Sequence, residues 1–253
     1  MKLNTKNINR YTALMINNSV SKLNKEVNKN SKELNKIYKN VLLDRKGPRA
    51  LSGYKLDKEE YFIANKLFRP YMEIMNSFES IQNIPIYISS FPFTSKGISK
   101  NNYLKYHIEN YLQELYIMQQ RLITYLKVID RAYLKTERSD IVHGKIVILT
   151  KVVNNTFDQY SKARGSHVHE LRYSDNDIDR LSLFDLLSRS EDTDFSNTMN
   201  LGYKLAYKEI RKKWVKKIED DSNGIIKLLD VYLNVLYKLI TKKDKIIYPW
   251  DKI

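Results

Sequence analysis

Residues 99–133 read SKNNYLKYHIENYLQELYIMQQRLITYLKVIDRAY. Leu104, Ile108, Tyr111, Leu115, Met118, Leu122, Tyr125 and Ile129 recur there in alternating steps of four and three. On an α-helix that spacing gathers the apolar residues into one continuous stripe, and the stretch predicts about nine turns of helix with a buried seam. Ser99 follows the helix-hostile segment Pro92–Gly97 and is placed to cap the first turn. A stripe of this length needs partners of the same kind, so an antiparallel helical bundle is the expected architecture.

The flanking sequence extends that reading. Asp57 and Glu60 have capping-box spacing, and Ala64, Phe68, Tyr71, Met75 and Phe78 continue an apolar face, with Pro70 predicting a kink or break near Arg69. Val142, Ile146, Leu149, Val153, Phe157 and Tyr160 predict a helix over 137–164. A short helix is expected around 178–187. The section 200–243 reads as a helix through Trp214 and Ile218, a break near Ser222-Asn223-Gly224, and a very apolar helix ending before Lys242-Lys243. Residues 83–98, NIPIYISSFPFTSKGI, form the one long irregular stretch. The whole predicts a single all-α domain of six or seven helices: a basic N-terminal helical arm over 1–45, and a bundle over 57–243.

Composition narrows the class. The 253 residues contain no Cys, 7 Gly and 5 Pro, which removes a disulfide framework, a thiolate zinc site and a cysteine nucleophile, and disfavours turn-rich β folds. The start, MKLNTKNINRY, lacks the apolar core of a signal peptide, and no apolar run approaches a membrane helix in length; a cytoplasmic protein without a membrane association is expected. The formal charge is +15 and it is uneven. Residues 1–50 carry 12 Lys+Arg against 3 Asp+Glu, residues 175–194 carry 7 Asp+Glu against 2 Arg, and the chain beyond 203 is basic again. A polyanion such as RNA fits such a surface.

Candidate chemistry rests on four histidines. His107 lies beside the long apolar stripe and reads as structural. His143 and His169 each follow an arginine by five residues, in Arg138-Ser139-Asp140-Ile141-Val142-His143 and Arg164-Gly165-Ser166-His167-Val168-His169. A guanidinium binds phosphate and stabilises charge building on it, while an imidazole accepts a proton from a ribose 2′-OH or gives one to a leaving oxygen. That pairing calls for no metal and no cofactor, but it does call for RNA. A metal bound by His167 and His169, with Asp175 or Asp177, is a rival reading if the backbone there is extended. A non-catalytic helical scaffold for nucleic acid or protein is another, and YKLAYKEIRKKWVKK (203–217) has the basic and aromatic mixture of a single-strand platform.

An all-α bundle with an Arg-x4-His element resembles the HEPN superfamily (higher eukaryotes and prokaryotes nucleotide-binding). The stretch ARGSHVHELRYSDNDIDRLS, residues 163–182, is similar to the motif region of prokaryotic members. The resemblance covers about 20 residues closely and the bundle loosely. It implies a metal-independent endoribonuclease, in a toxin or antiviral defence role, acting as a homodimer and held by an antitoxin or other partner protein. It also implies that Arg164 holds the scissile phosphate, His169 is the acid or base, and His167 is a nearby polar group. The family usually has a polar residue, most often Asn, directly after the Arg; this chain has Gly165 there, and Ser139 in the Arg138–His143 element.

Overall fold

A computed structural model describes residues 5–29, 57–90, 97–169 and 175–251, the side chains of 19–29, 159 and 161–169 excepted. Helices dominate it. They are α1 (Lys6–Lys29), α2 (Lys58–Tyr61) running through a π-helical stretch Phe62–Phe68 into α3 (Arg69–Ser89), α4 (Lys100–Tyr133), α5 (Ser139–His169), α6 (Asn176–Leu187) and α7 (Thr193–Ile240). A hairpin of two short strands, β1 (Thr241–Lys242) and β2 (Lys245–Ile246), follows. The chain is all-α, as the sequence pattern requires.

Local chemistry sets the helix starts. The Asn102 N–H donates to Ser99 Oγ at 3.1 Å, so Ser99 caps α4. Asp57 and Glu60 form both bonds of a capping box at α2. Asp175 accepts from the Ile178 N–H at 2.8 Å ahead of α6, and Asp192 accepts from the Asp194 and Phe195 N–H groups ahead of α7. All eight residues of the α4 stripe are fully buried.

Four features differ from the sequence reading. Residues 83–89 are helical and not irregular, because α3 continues to Ser89 with Pro85 inside it; residues 91–96 of that stretch lie outside the described residues. Pro85 forfeits one helical bond, but Ile84, Pro85 and Ile88 are buried, and that packing outweighs the loss. Second, Pro70 does not break the helix. The turns before it widen instead, with the Arg69 N–H reaching Ala64 O five residues back, which relieves the ring's clash with the carbonyl four residues earlier. The wide turns shift the phase of the buried face. Leu67, Ile74, Ile81 and Ile88 form the seam, Tyr71 and Phe78 flank it as expected, and Ala64, Phe68 and Met75 are only half-buried.

Third, α7 runs unbroken through Ser222-Asn223-Gly224. The Ser222 hydroxyl donates back to Ile218 O at 2.7 Å, and Ile218, Ile225, Leu229, Tyr232 and Leu236 keep one buried face across the gap. Fourth, the chain past 240 forms the hairpin, whose turn residues Lys243 and Asp244 have φ of 50° and 61°. The Asp244 carboxylate accepts from Arg10 Nη2 at 2.7 Å and from the Tyr237 hydroxyl at 2.8 Å, which offsets the strain of that left-handed backbone.

The residues group into two compact units. One comprises 73–124 and 147–228, with a core drawn from Ile81, Leu115, Val153, Ile178 and Ile210 among others. The other comprises 4–72, 125–146 and 229–253. Its core holds Tyr11, Leu67, Ile129, Val142 and Leu233, and the Tyr11 and Tyr125 hydroxyls meet there at 2.5 Å. In this second unit the N-terminal helix is anchored by its first turn. Asp230 Oδ1 accepts from the Asn7 N–H at 2.8 Å and the Ile8 N–H at 3.2 Å, and Oδ2 accepts from the Asn7 amide at 2.7 Å. Asp230 therefore caps α1 from a distant part of the chain. Asp230→Ala leaves those donors unmet, and urea titration is expected to show a loss of about 1–3 kcal/mol.

Candidate active site

The Arg138–His143 element lies at the hairpin between α4 and α5. The Ser139 N–H donates to Thr136 O at 3.0 Å, and the Thr136 hydroxyl donates to Tyr133 O at 2.8 Å, which closes a tight turn and starts α5 at Ser139. This turn brings the last helical turns of α4 opposite the first of α5. His143 Nδ1 then lies 3.1 Å from both carboxylate oxygens of Asp130. A carboxylate only accepts, so the Nδ1 position carries the hydrogen and donates it. The His143 side chain is 59% exposed and that of Asp130 25% exposed. An exposed imidazole oriented through Nδ1 leaves Nε2 as the nitrogen able to take a proton from a substrate or return one.

Arg138 is placed differently. One guanidinium nitrogen is buried and has no hydrogen-bond partner among the described residues. The guanidinium acts on the Tyr133 phenol, opposing the burial that raises that phenol's pKa, while the hydroxyl donates to Ile247 O. Thus Asp130, and not Arg138, is the described partner of His143. The sequence reading missed Asp130 because it looked for chemistry along one segment. The signal was available in the hairpin itself: residues equally distant from a tight turn in an antiparallel pair of helices face each other, and 130 and 143 flank 136–137 that way.

For the other element the backbone is described and the side chains are not. Helix α5 extends to His169, beyond the boundary expected at 164, so Arg164, His167 and His169 all have helical backbone. This removes the premise of the His167/His169 metal reading, because helical residues two apart are separated by about 200° around the axis. No group of three or more potential metal ligands occurs among the described residues. The positions of the Arg164, His167 and His169 side chains lie outside the described residues.

One turn before Arg164, the Tyr160 ring meets Tyr111 edge-on at 6.5 Å and lies 5.3 Å from Lys217 Nζ. Lys217 donates to Asp221 at 3.0 Å, and the Tyr111 hydroxyl donates to the same carboxylate. This polar cluster joins α4, α5 and α7 within one unit. Burial, followed by the Asp221 carboxylate, raises the Tyr111 phenol far above its ordinary range.

His107 is structural, as its position predicts. It is buried beside three tyrosine rings, Tyr103 at 4.4 Å, Tyr106 at 5.2 Å and Tyr87 at 5.5 Å, with Nδ1 unpartnered among the described residues. Burial lowers its pKa. The native state then binds fewer protons at this site than the unfolded chain does. Stability from this group is complete above about pH 6.5 and falls as the pH drops below it. Urea midpoints measured from pH 7.5 to 5 are expected to decline, and His107→Phe is expected to flatten that decline.

Comparisons with protein-family models, with curated proteins and with solved structures find no match. No helix among the described residues is long and apolar enough to cross a membrane.

Proposed function

We propose that the chain is a metal-independent endoribonuclease of HEPN type, in which His143, oriented by Asp130, moves protons at a phosphodiester. The observation that carries this reading is the bifurcated 3.1 Å contact of an exposed imidazole with a carboxylate at the mouth of a helical hairpin. Supporting it are the all-α architecture, the basic balance of the chain and the two Arg-x4-His elements, whose histidines both fall within α5. The substrate's own 2′-OH attacks phosphorus as the imidazole takes its proton, the P–O5′ bond breaks, and the imidazolium returns that proton to the departing 5′ oxygen. Arg138, in the same unit as His143, supplies phosphate binding and charge stabilisation. The Arg164, His167 and His169 element is the alternative to this site, not a part of it. Homodimer formation, control by a partner protein and a toxin or defence role belong to the same proposal.

Incubating the full chain with RNA, and separately with DNA of the same sequence, in EDTA tests this reading. RNA is expected to be cut and DNA spared, since DNA lacks the nucleophile. Intact RNA would leave the second reading, a helical scaffold that binds nucleic acid without cutting it. A row of exposed lysines on α7, without ion-pair partners among the described residues, favours that second reading.

A further inference from the structure

The segment 203–217 carries the aromatic and basic mixture of a stacking platform, but two of its three rings turn inward and the third, Tyr203, is half-buried and stacked on Tyr207. Tyr207 and Trp214 are buried, and Trp214 packs edge-on against Tyr111 at 6.4 Å. The outer surface of the same stretch is a row of four exposed lysines, Lys204, Lys208, Lys212 and Lys216. Residues four apart neighbour one another on a helix, so the four form one ridge, rising about 6 Å per step and about 18 Å in all.

The cations on either side of this ridge are engaged internally. Lys213 pairs with Asp177, Lys217 with Asp221 at 3.0 Å, and Arg211 reaches Ser89 O at 3.5 Å. Glu209, the one acid inside the span, is engaged by Arg180 at 3.5 Å. The four ridge lysines have no ion-pair partner among the described residues, and the acids Glu219 and Asp220 close the row at its C-terminal end.

Four ammonium groups strung over about 18 Å cannot converge on one phosphate, but they suit a polymer that repeats its charge. The exposed apolar residues near the row are Leu201 and Leu205 at its first turn, which is too little to seat a helix in a membrane surface. We propose that the outer ridge of α7 is a track for a nucleic-acid backbone, bound by charge alone and without base stacking. This rests on the nucleic-acid half of the function proposed above and is independent of catalysis.

The test uses the full chain and fluorescent 2′-O-methyl RNA, which has no free nucleophile, as a single strand and as a duplex. Affinity is read by anisotropy across a salt series. A variant with Lys204, Lys208, Lys212 and Lys216 changed to Gln is compared with one in which Lys66, Lys127, Lys238 and Lys242, also exposed, are changed to Gln. The two variants have the same net charge.

The ridge variant is expected to bind at least about 10-fold more weakly and to lose about 3 from the slope of log affinity against log salt on single strands, while the scattered variant keeps most of both. The duplex arm reports which backbone the track prefers. Equal losses in the two variants would overturn the track, as would binding of the wild-type chain to anionic lipid vesicles and not to either nucleic acid. Cleavage of RNA by the wild-type chain together with equal binding losses in the two variants removes the track and leaves the nuclease. Binding that depends on the ridge in a chain that never cuts RNA removes the nuclease and leaves the track.

Discussion

A Leu122→Ala chain is expected to lose about 2–5 kcal/mol of stability, the range for truncating a fully buried leucine with incomplete closure of the cavity. Leu122 lies in the middle of the α4 stripe with no solvent exposure, between Met118 and Tyr125, which are equally buried. Deleting its branched end removes apolar burial and leaves a void that rigid helical neighbours fill poorly. For a chain of this size the loss corresponds to a fall in melting temperature of about 5–20 °C. Thr124→Ala, two residues along on the exposed side of the same helix, is the internal control and is expected to change stability by less than about 0.5 kcal/mol. Similar effects from both substitutions would mean that the stripe is not the seam of the fold.

The second large effect concerns His143. His143→Ala is expected to slow cleavage of RNA in EDTA by about 100-fold or more, the contribution of a positioned acid or base. Asp130→Asn keeps the shape but replaces the acceptor that fixes the Nδ1 hydrogen. The ring then samples other orientations, and a loss of up to about 100-fold is expected, because small misplacements of a reacting group are costly. The ordering is the informative part. If His143→Ala retains full activity while Arg164→Ala or His169→Ala abolishes it, catalysis belongs to the other Arg-x4-His element. Circular dichroism on each variant separates lost chemistry from lost structure. Both His143 and Asp130 are outside the buried core, so the helical signal is expected to persist.

The legible parts of the fold were those governed by local periodicity and end-capping. The α4 stripe, the Ser99 cap, the Asp57–Glu60 box and the α6 helix all follow from residues a few positions apart. The illegible parts depend on competition between local preference and packing. Pro85 and Ser222-Asn223-Gly224 are helix-breaking by composition, yet buried neighbours carry the helix through both. The hairpin turn at Lys243-Asp244 has no glycine or asparagine to announce a left-handed backbone, and depends on Arg10 and Tyr237 from elsewhere in the chain.

The same distinction applies to the candidate site. The Arg-x4-His spacing could be read along the chain, but Asp130 and the Tyr111–Asp221–Lys217 cluster arise only when helices are laid side by side. Charge was legible as an excess and not as a surface. The sequence shows lysines at 204, 208, 212, 213, 216 and 217, and only the fold separates the two that are paired from the four that line a ridge.

The most direct measurement of the proposed chemistry is the identity of the ends left on RNA by the full chain in EDTA. Attack by the substrate's own 2′-OH, with His143 moving the proton, predicts a 2′,3′-cyclic phosphate on one fragment and a 5′-hydroxyl on the other. A 3′-hydroxyl with a 5′-phosphate, or RNA that stays intact, would contradict it.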